Sequence, residues 1–382
     1  MHTLSELPPL RVAKVEAIVL RVPIDEPVQT SFGIMHDRPA VLVRIIDSDG
    51  VEGWGEIWCN FPSVGAEHRA RLLESCVAPI LQQREWAHPA EAFEELSRRL
   101  RILAIQCGEP GPLAQAIAGT DIALWDLAGK RIGQPLWRLF GGGPRVRTYA
   151  SGLSPTGPET LAAAKHEEGY RAFKLKVGFG AERDLRNLRA LREHFGDGTT
   201  LMIDANQAWT PEEAQSMSAR LAEFKPAWLE EPIAADYPLP VWRQLAKSIS
   251  LPLAAGENLR GTEVFSDAIA SGALSVIQPD LGKWGGFTGC LEVGRRAIDA
   301  GKMFCPHWLG GGVGLVASMH LRAAFGEGDY VEVDSNPNLL RELLLPPSLN
   351  PVEGIVSLSD GPGLGLSHDP DAVREFRRPH AY

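Results

Sequence analysis

Two lysines one residue apart, Lys174 and Lys176, lie in the apolar stretch FKLKVG. Successive side chains of a strand alternate faces, so the two ammonium groups point the same way and repel each other. Turned into a protein interior they are also desolvated. Both effects lower a lysine pKa, and a lysine neutral near pH 7 acts as a general base. The alternative is an outer face with both lysines in solvent, but Phe173 and Leu175 suit packing against helices. Asp204, Glu230 and Glu257 close three later apolar runs. Gathered together, three carboxylates raise one another's pKa values unless a cation neutralises them. An all-oxygen set suits a hard divalent ion, Mg²⁺ first and Mn²⁺ next, with positions left for substrate or water. The alternative pairs these acids with arginines. His307 stands in CPHWLGG, and Asp280 ends the run before it. An aspartate hydrogen-bonded to a histidine fixes its tautomer and raises its basicity. The set therefore offers a lysine base and a histidine base on roughly opposite sides of a metal.

These groups need a scaffold that brings them to one place. Lys176, Asp204, Glu230, Glu257, Asp280, His307 and Glu332 recur at intervals of 23 to 28 residues, about one strand-plus-helix unit each. From Val146 onward, eight short apolar runs alternate with helical segments. That pattern predicts a closed parallel barrel rather than an open sheet, with all strand C-termini at one mouth. Before it, KVEAIVLRVPI, PAVLVRIIDSDG and VEGWGEIW read as strands, followed by segments with helical spacing of apolar residues. QPLWRLFGGGP punctuates the junction. The expected fold class is α/β: a (β/α)₇β barrel at 146–355 and an α+β capping domain at 1–140. A chain of 382 residues is long for one core.

Composition narrows the partners. A net charge of -10 argues against nucleic acid. Five scattered cysteines without CxxC spacing argue against a disulfide framework or zinc knuckle and fit a reducing cytoplasm. No signal peptide and no membrane span are expected. GGGVGL at 310–315 lacks the Lys-Ser/Thr of a P-loop and reads as a helix start with close backbone approach.

The motifs KLK (174–176), DANQAW (204–209), LEEP (229–232), AGEN (255–258), PDLGKWGG (279–286) and PHWLGGG (306–312) resemble the enolase superfamily, and within it the mandelate racemase subgroup. AIAGTDIALWDLAGKRIGQPLWRLFGG (116–142) resembles the helix that leads into that family's barrel. The resemblance implies the capped (β/α)₇β barrel, with a C-terminal segment at 356–382 returning to the cap. It implies Mg²⁺ on Asp204, Glu230 and Glu257, and removal of the proton beside a substrate carboxylate to give an enediolate. Lys176 and His307 would be the bases and Asp280 the partner of His307. Lys174, Asn206, Lys283 and Glu332 would contact substrate, with Glu332 a further candidate acid. The muconate cycloisomerase branch would have a second lysine in place of Asp280, so that outcome is disfavoured. Dehydration of an acid sugar or hydroxy acid is preferred to racemisation or epimerisation. A non-catalytic metal- or carboxylate-binding protein would not need two bases. A small-molecule carboxylate and a homo-oligomer are the expected partners. Two cap loops, 24–38 and 56–65, should cover the mouth, offering Phe32, Met35, His36, Trp58, Asn60 and Phe61.

Overall fold

The structure is a computed structural model that describes residues 7–29, 33–345, 349–366 and 372–380. Three antiparallel strands come first: β1 (Val12–Gln29), β2 (Ile34–Asp47) and β3 (Glu52–Ile57), in the order β1-β2-β3. The helix Pro110–Arg131 packs on this sheet through glycines. A Cβ built at Gly55 would lie 2.1 Å from the Gly119 carbonyl oxygen, so only glycine permits this approach. Asp126 of that helix accepts hydrogen bonds from the Trp54 amide at 2.8 Å and the Leu364 amide at 2.7 Å. One buried carboxylate thus joins the first sheet to the C-terminal segment. Further along, the Arg378 amide donates to the Val19 carbonyl at 2.9 Å.

Eight parallel strands follow: β4 (Arg145–Leu153), β5 (Ala172–Lys176), β6 (Thr200–Asp204), β7 (Leu229–Glu230), β8 (Leu253–Ala255), β9 (Val276–Ile277), β10 (Met303–Phe304) and β11 (Tyr330–Asp334). They lie in the order β10-β9-β8-β7-β6-β5-β4-β11, and the Glu332 amide reaches the Pro306 carbonyl at 3.3 Å across the remaining gap. A helix separates each strand from the next. This is the (β/α)₇β barrel with an antiparallel cap. A twelfth strand, β12 (Ile355–Ser357), pairs antiparallel with β4.

Period-two alternation sorts the barrel side chains. Tyr149, Ala172, Met202, Trp228, Ala254, Val276 and Cys305 form a separate buried cluster inside the barrel, whereas Phe173, Leu175, Ile203 and Leu229 belong to the larger core outside it. Phe173 stacks on Phe195 of the helix Ala181–Phe195, with ring centroids 4.9 Å apart. Burying such a ring contributes about 1.5–3 kcal/mol, which holds Lys174 and Lys176 on the inner face. The inner cluster is a packed floor, so the mouth above it is closed from below. All five cysteines are unpaired, and no helix among the described residues is long and apolar enough to cross a membrane.

Candidate active site

Lys174 and Lys176 stand on β5, directly above the floor. Lys174 is fully buried; its Nζ lies 2.8 and 2.7 Å from the two Glu230 oxygens and 3.0 Å from Glu332 Oε1. Lys176 is partly open, with Nζ 2.6 Å from Asp204 Oδ2 and 2.7 Å from Asn206 Oδ1. Strand register explains the pairing: Lys176 is opposite Asp204, and Asp204 is opposite Glu230. After β6 the chain turns through Asn206 and Gln207, both at positive φ (44° and 65°). Asparagine tolerates that region better than most residues. The turn lets the Asn206 amide donate to Asp204 Oδ1 at 2.8 Å. Gln278, which the sequence reading passed over, donates from Nε2 to Glu230 Oε2 at 2.7 Å. It lies just past β9, where a lone polar residue carries no periodic signal.

The second group is built from loop starts. His307 Nδ1 lies 2.7 Å from Asp280 Oδ2, and Nε2 lies 2.8 Å from Glu257 Oε2. Asp280 Oδ1 accepts from the Gly282 and Lys283 amides at 2.9 and 3.0 Å. Lys283 Nζ donates to Glu257 Oε2 at 2.9 Å and sits 4.6 Å from the Trp58 ring centroid. With carboxylates at both ring nitrogens, the His307 imidazole donates from both. Glu332 accepts a short hydrogen bond from Ser151, while its Oε2, though buried, has no hydrogen-bond partner.

The protonation states depart from the expected ones. Burial works to lower the Lys174 pKa, but Glu230 and Glu332 outweigh it and raise the value well above that of an ordinary lysine. For Lys176, burial and repulsion from Lys174 are both present, yet Asp204 tips the balance upward. The expectation of a lysine kept partly neutral by its neighbour is therefore corrected: nearby carboxylates dominate the like-charge repulsion. His307 behaves in the same way. Burial lowers its pKa, while Glu257, Glu332 and Asp280 raise it well above the usual range. Burial and the nearby Asp204 push Glu230 up to about 7 despite Lys174.

Asp204, Glu230 and Glu257 are turned onto ammonium or imidazole groups as placed. Among the described residues, no three acidic, histidine or cysteine side chains stand close enough together to hold a metal in this arrangement. The donor set nonetheless fits a hard divalent cation. The buried carboxyl groups of Asp204, Glu230, Glu231, Asp280 and Glu332, with the half-buried Glu257, outnumber the cations of Lys174, Lys176, Lys283 and His307.

A cavity of about 370 Å³ opens above these groups. It is lined by Lys176, Asn206, Glu257, Lys283, His307 and Glu332 at its base. Val28, Trp58 and Phe61 of the cap form a wall. Of the other anticipated cap-loop residues, Met35 is buried, His36 is exposed and Phe32 lies outside the described residues. Asn60 is buried and donates to the Leu309 carbonyl at 2.7 Å. Ser151, Asn258, Asp334 and Asn336 also line the cavity and were not anticipated. They flank strand ends, where polar residues carry no periodic signal.

Residues 14–141 match the mandelate racemase / muconate lactonizing enzyme N-terminal domain, and residues 159–372 match the enolase C-terminal domain-like family. The chain belongs to the mandelate racemase / muconate lactonizing enzyme family of the enolase superfamily. It is 33% identical to a D-galactarolactone cycloisomerase of Agrobacterium fabrum, over 97% of this chain and 100% of that protein. It is 29% identical to an arabinonate dehydratase of Saccharolobus solfataricus, over 90% and 91%. A solved mandelate racemase/muconate lactonizing enzyme from Bordetella bronchiseptica RB50 is 51% identical, with a TM-score of 0.91 and coverage of 96% and 99%. A racemase from Streptomyces coelicolor A3(2), solved with bound magnesium, is 30% identical, with a TM-score of 0.86 and coverage of 96% and 100%.

Proposed function

We propose that this enzyme abstracts the α-proton of an acid sugar and expels the β-hydroxyl as water, with Lys176 and His307 as the proton-transferring groups. The observation that carries this reading is that Lys176 and the Asp280-held His307 open onto one cavity, from β5 and the end of β10, with four strands between them one way round the barrel and two the other. The arabinonate dehydratase among the relatives supports the substrate class. Asp204, Glu230 and Glu257 would hold Mg²⁺, or Mn²⁺ through the same oxygen donors, a reading supported by the magnesium-bound racemase. When bound, the ion neutralises these carboxylates and acts as a Lewis acid toward the substrate carboxylate.

The chain's own residues then divide the work. With a cation neutralising Asp204 and Glu230, burial and mutual repulsion would govern the lysine pair, and both would lower the Lys176 pKa. Lys176 accepts the proton from the α-carbon. Lys283 and Asn206, which line the cavity, orient the substrate carboxylate, and Lys174, buried beneath it, offsets the charge that develops. His307, protonated between Asp280 and Glu257, donates to the departing hydroxyl, so the C–H and C–O bonds break and water leaves. Glu332 accepts a substrate hydroxyl at its unpartnered oxygen. A racemase or epimerase shares this arrangement, because His307 also stands ready to return a proton to the other side of the carbon.

The test is a screen of arabinonate, galactonate, galactarate and talarate with Mg²⁺ in D₂O. Deuterium at the α-carbon of recovered acid and at the neighbouring carbon of any product is followed by NMR, and a 2-keto product by carbonyl derivatisation. A 2-keto product carrying deuterium beside its carbonyl establishes the dehydratase, and α-carbon exchange with inversion alone establishes the racemase. Turnover undiminished by excess chelator would remove the metal from the reading.

A further inference from the structure

Glu56 is a buried carboxylate near the end of β3, it does not line the cavity, and the reaction above has no use for it. Its two oxygens accept from the Gly311 amide at 2.5 Å and the Gly314 amide at 2.9 Å. Those amides open the helix Gly312–Ala323, which has no capping side chain of its own. An N-terminus left without a cap is ordinarily served by a neighbouring Ser, Thr, Asp or Asn. Here the acceptor comes from the other domain, 255 residues away in sequence. The contact is close: a Cβ at Gly311 would lie 2.7 Å from Glu56 Oε1. Burial pushes the Glu56 carboxyl up to about 7, and Asp280 contributes to the rise, so this latch costs stability when ionised.

The residues around Glu56 grip the same part of the barrel. Asn60 Nδ2 donates to the Leu309 carbonyl at 2.7 Å, two residues after His307. The Trp58 amide donates to the Gly282 carbonyl at 3.3 Å, and the Gly282 amide holds Asp280 Oδ1. Between the two loops lies the Trp308 ring. A Cβ at Gly282, Gly310 or Gly314 would come within 2.4, 2.4 and 2.0 Å of that ring, so all three glycines are required by its fit. One short cap segment, residues 56–60, therefore fastens both the loop that carries Asp280 and the loop that carries His307. It makes none of these contacts to β5 or β6, which carry Lys176 and Asp204.

We propose that Glu56 and Asn60 are positioning residues for the His307–Asp280 pair, so that the cap completes the histidine half of the site as well as covering it. This inference rests on His307 acting as a base or acid in the proposed reaction. A residue that merely stabilises the fold would affect the lysine and histidine functions alike. A positioning residue affects one.

The experiment uses the full chain with MgCl₂ and whichever acid sugar of the above screen reacts in D₂O. The lysine-dependent step is read as deuterium entering the α-carbon of recovered acid with its configuration kept. The histidine-dependent step is read as 2-keto product, or as inverted acid if the enzyme is a racemase. Both are measured in Glu56→Ala, Glu56→Gln, Asn60→Ala and His307→Asn. Amide hydrogen exchange across residues 307–316 is measured on the same samples without any acid. We expect Glu56→Ala to lower the histidine-dependent step at least tenfold more than the lysine-dependent step, and to speed loop amide exchange at least tenfold. Glu56→Gln, which keeps one acceptor oxygen, should recover much of both. Asn60→Ala should show the same asymmetry more weakly, and it carries the comparison if Glu56→Ala does not fold. Equal loss of both steps, or loop amides that exchange as in the unsubstituted chain, overturns the positioning role. If His307→Asn alone leaves both steps at the unsubstituted rate, the role of His307 falls and this inference falls with it. If His307→Asn loses its step while the cap variants lose neither, only the inference falls.

Discussion

The lysine side and the histidine side of the mouth are built by different means. Lys176, Asp204 and Glu230 are strand residues, each opposite the next in a hydrogen-bonded parallel ladder. Their relative placement follows from strand pairing. Glu257, Asp280 and His307 lie two or three residues beyond the short strands β8, β9 and β10. No ladder fixes them. Their backbone is held by cross-links such as the His307 amide to the Pro279 carbonyl at 3.0 Å, and by the cap residues Trp58, Asn60 and Glu56. A strand-borne group is placed by repeated main-chain geometry, whereas a loop-borne group is placed only by whatever packs against it. The histidine side should accordingly be the more easily disturbed by distant change.

The largest expected effect treats both sides alike. Excess chelator, or Glu230→Gln, should abolish both α-proton exchange and product formation. Calorimetric titration of MgCl₂ into Glu230→Gln, without substrate, should show affinity at least tenfold weaker. Next come the variants that separate the two sides. Lys176→Ala should lose about 10²–10⁴-fold in α-proton exchange, and His307→Asn as much in formation of the 2-keto product while keeping the exchange. A variant that kept both at the unsubstituted rate would break the comparison.

Trp308→Ala tests the packing beneath the histidine side. Removing a buried ring that size costs about 3–5 kcal/mol, measurable by chemical denaturation. The folded fraction should lose formation of the 2-keto product before it loses α-proton exchange.

The smallest effect concerns acid stability. His320, on the helix capped by Glu56, accepts from the Trp137 amide at 2.9 Å, and burial lowers its pKa to about 4. The unfolded chain binds this proton near pH 6.5. Stability from the neutral ring is therefore complete above that value and is lost as pH falls toward about 4. The loss amounts to at most roughly 3 kcal/mol. Urea midpoints at pH 7 and pH 5 should converge in His320→Gln relative to the unsubstituted chain. An unchanged difference would detach His320 from the acid response.

Much of the fold and the core of the site could be read from the chain because both repeat. The spacing of Lys176 through Glu332 follows the strand-plus-helix period, and alternation within FKLKV places both lysines inward. GGGVGL was rightly read as a helix start with close backbone approach, although nothing local indicated that Glu56 is what approaches Gly311. Gln278, Ser151 and Asp334 escaped notice because a single polar residue near a strand end has no period to betray it.

Side-chain direction along a strand is determined by covalent geometry, so the sequence by itself decided that Lys174, Lys176, Asp204 and Glu230 turn inward. Charge state is a sum over every neighbour in space, each contribution falling with distance and rising with burial. The sequence shows Lys174 beside Lys176, and from that pair alone both pKa values should drop. Only the tertiary structure brings Glu230, Glu332 and Asp204 around them and reverses the sign. It likewise takes the folded chain to lay residues 56–60 against the His307 loop, since hydrogen bonds spanning some 250 residues leave no pattern in the sequence that joins them.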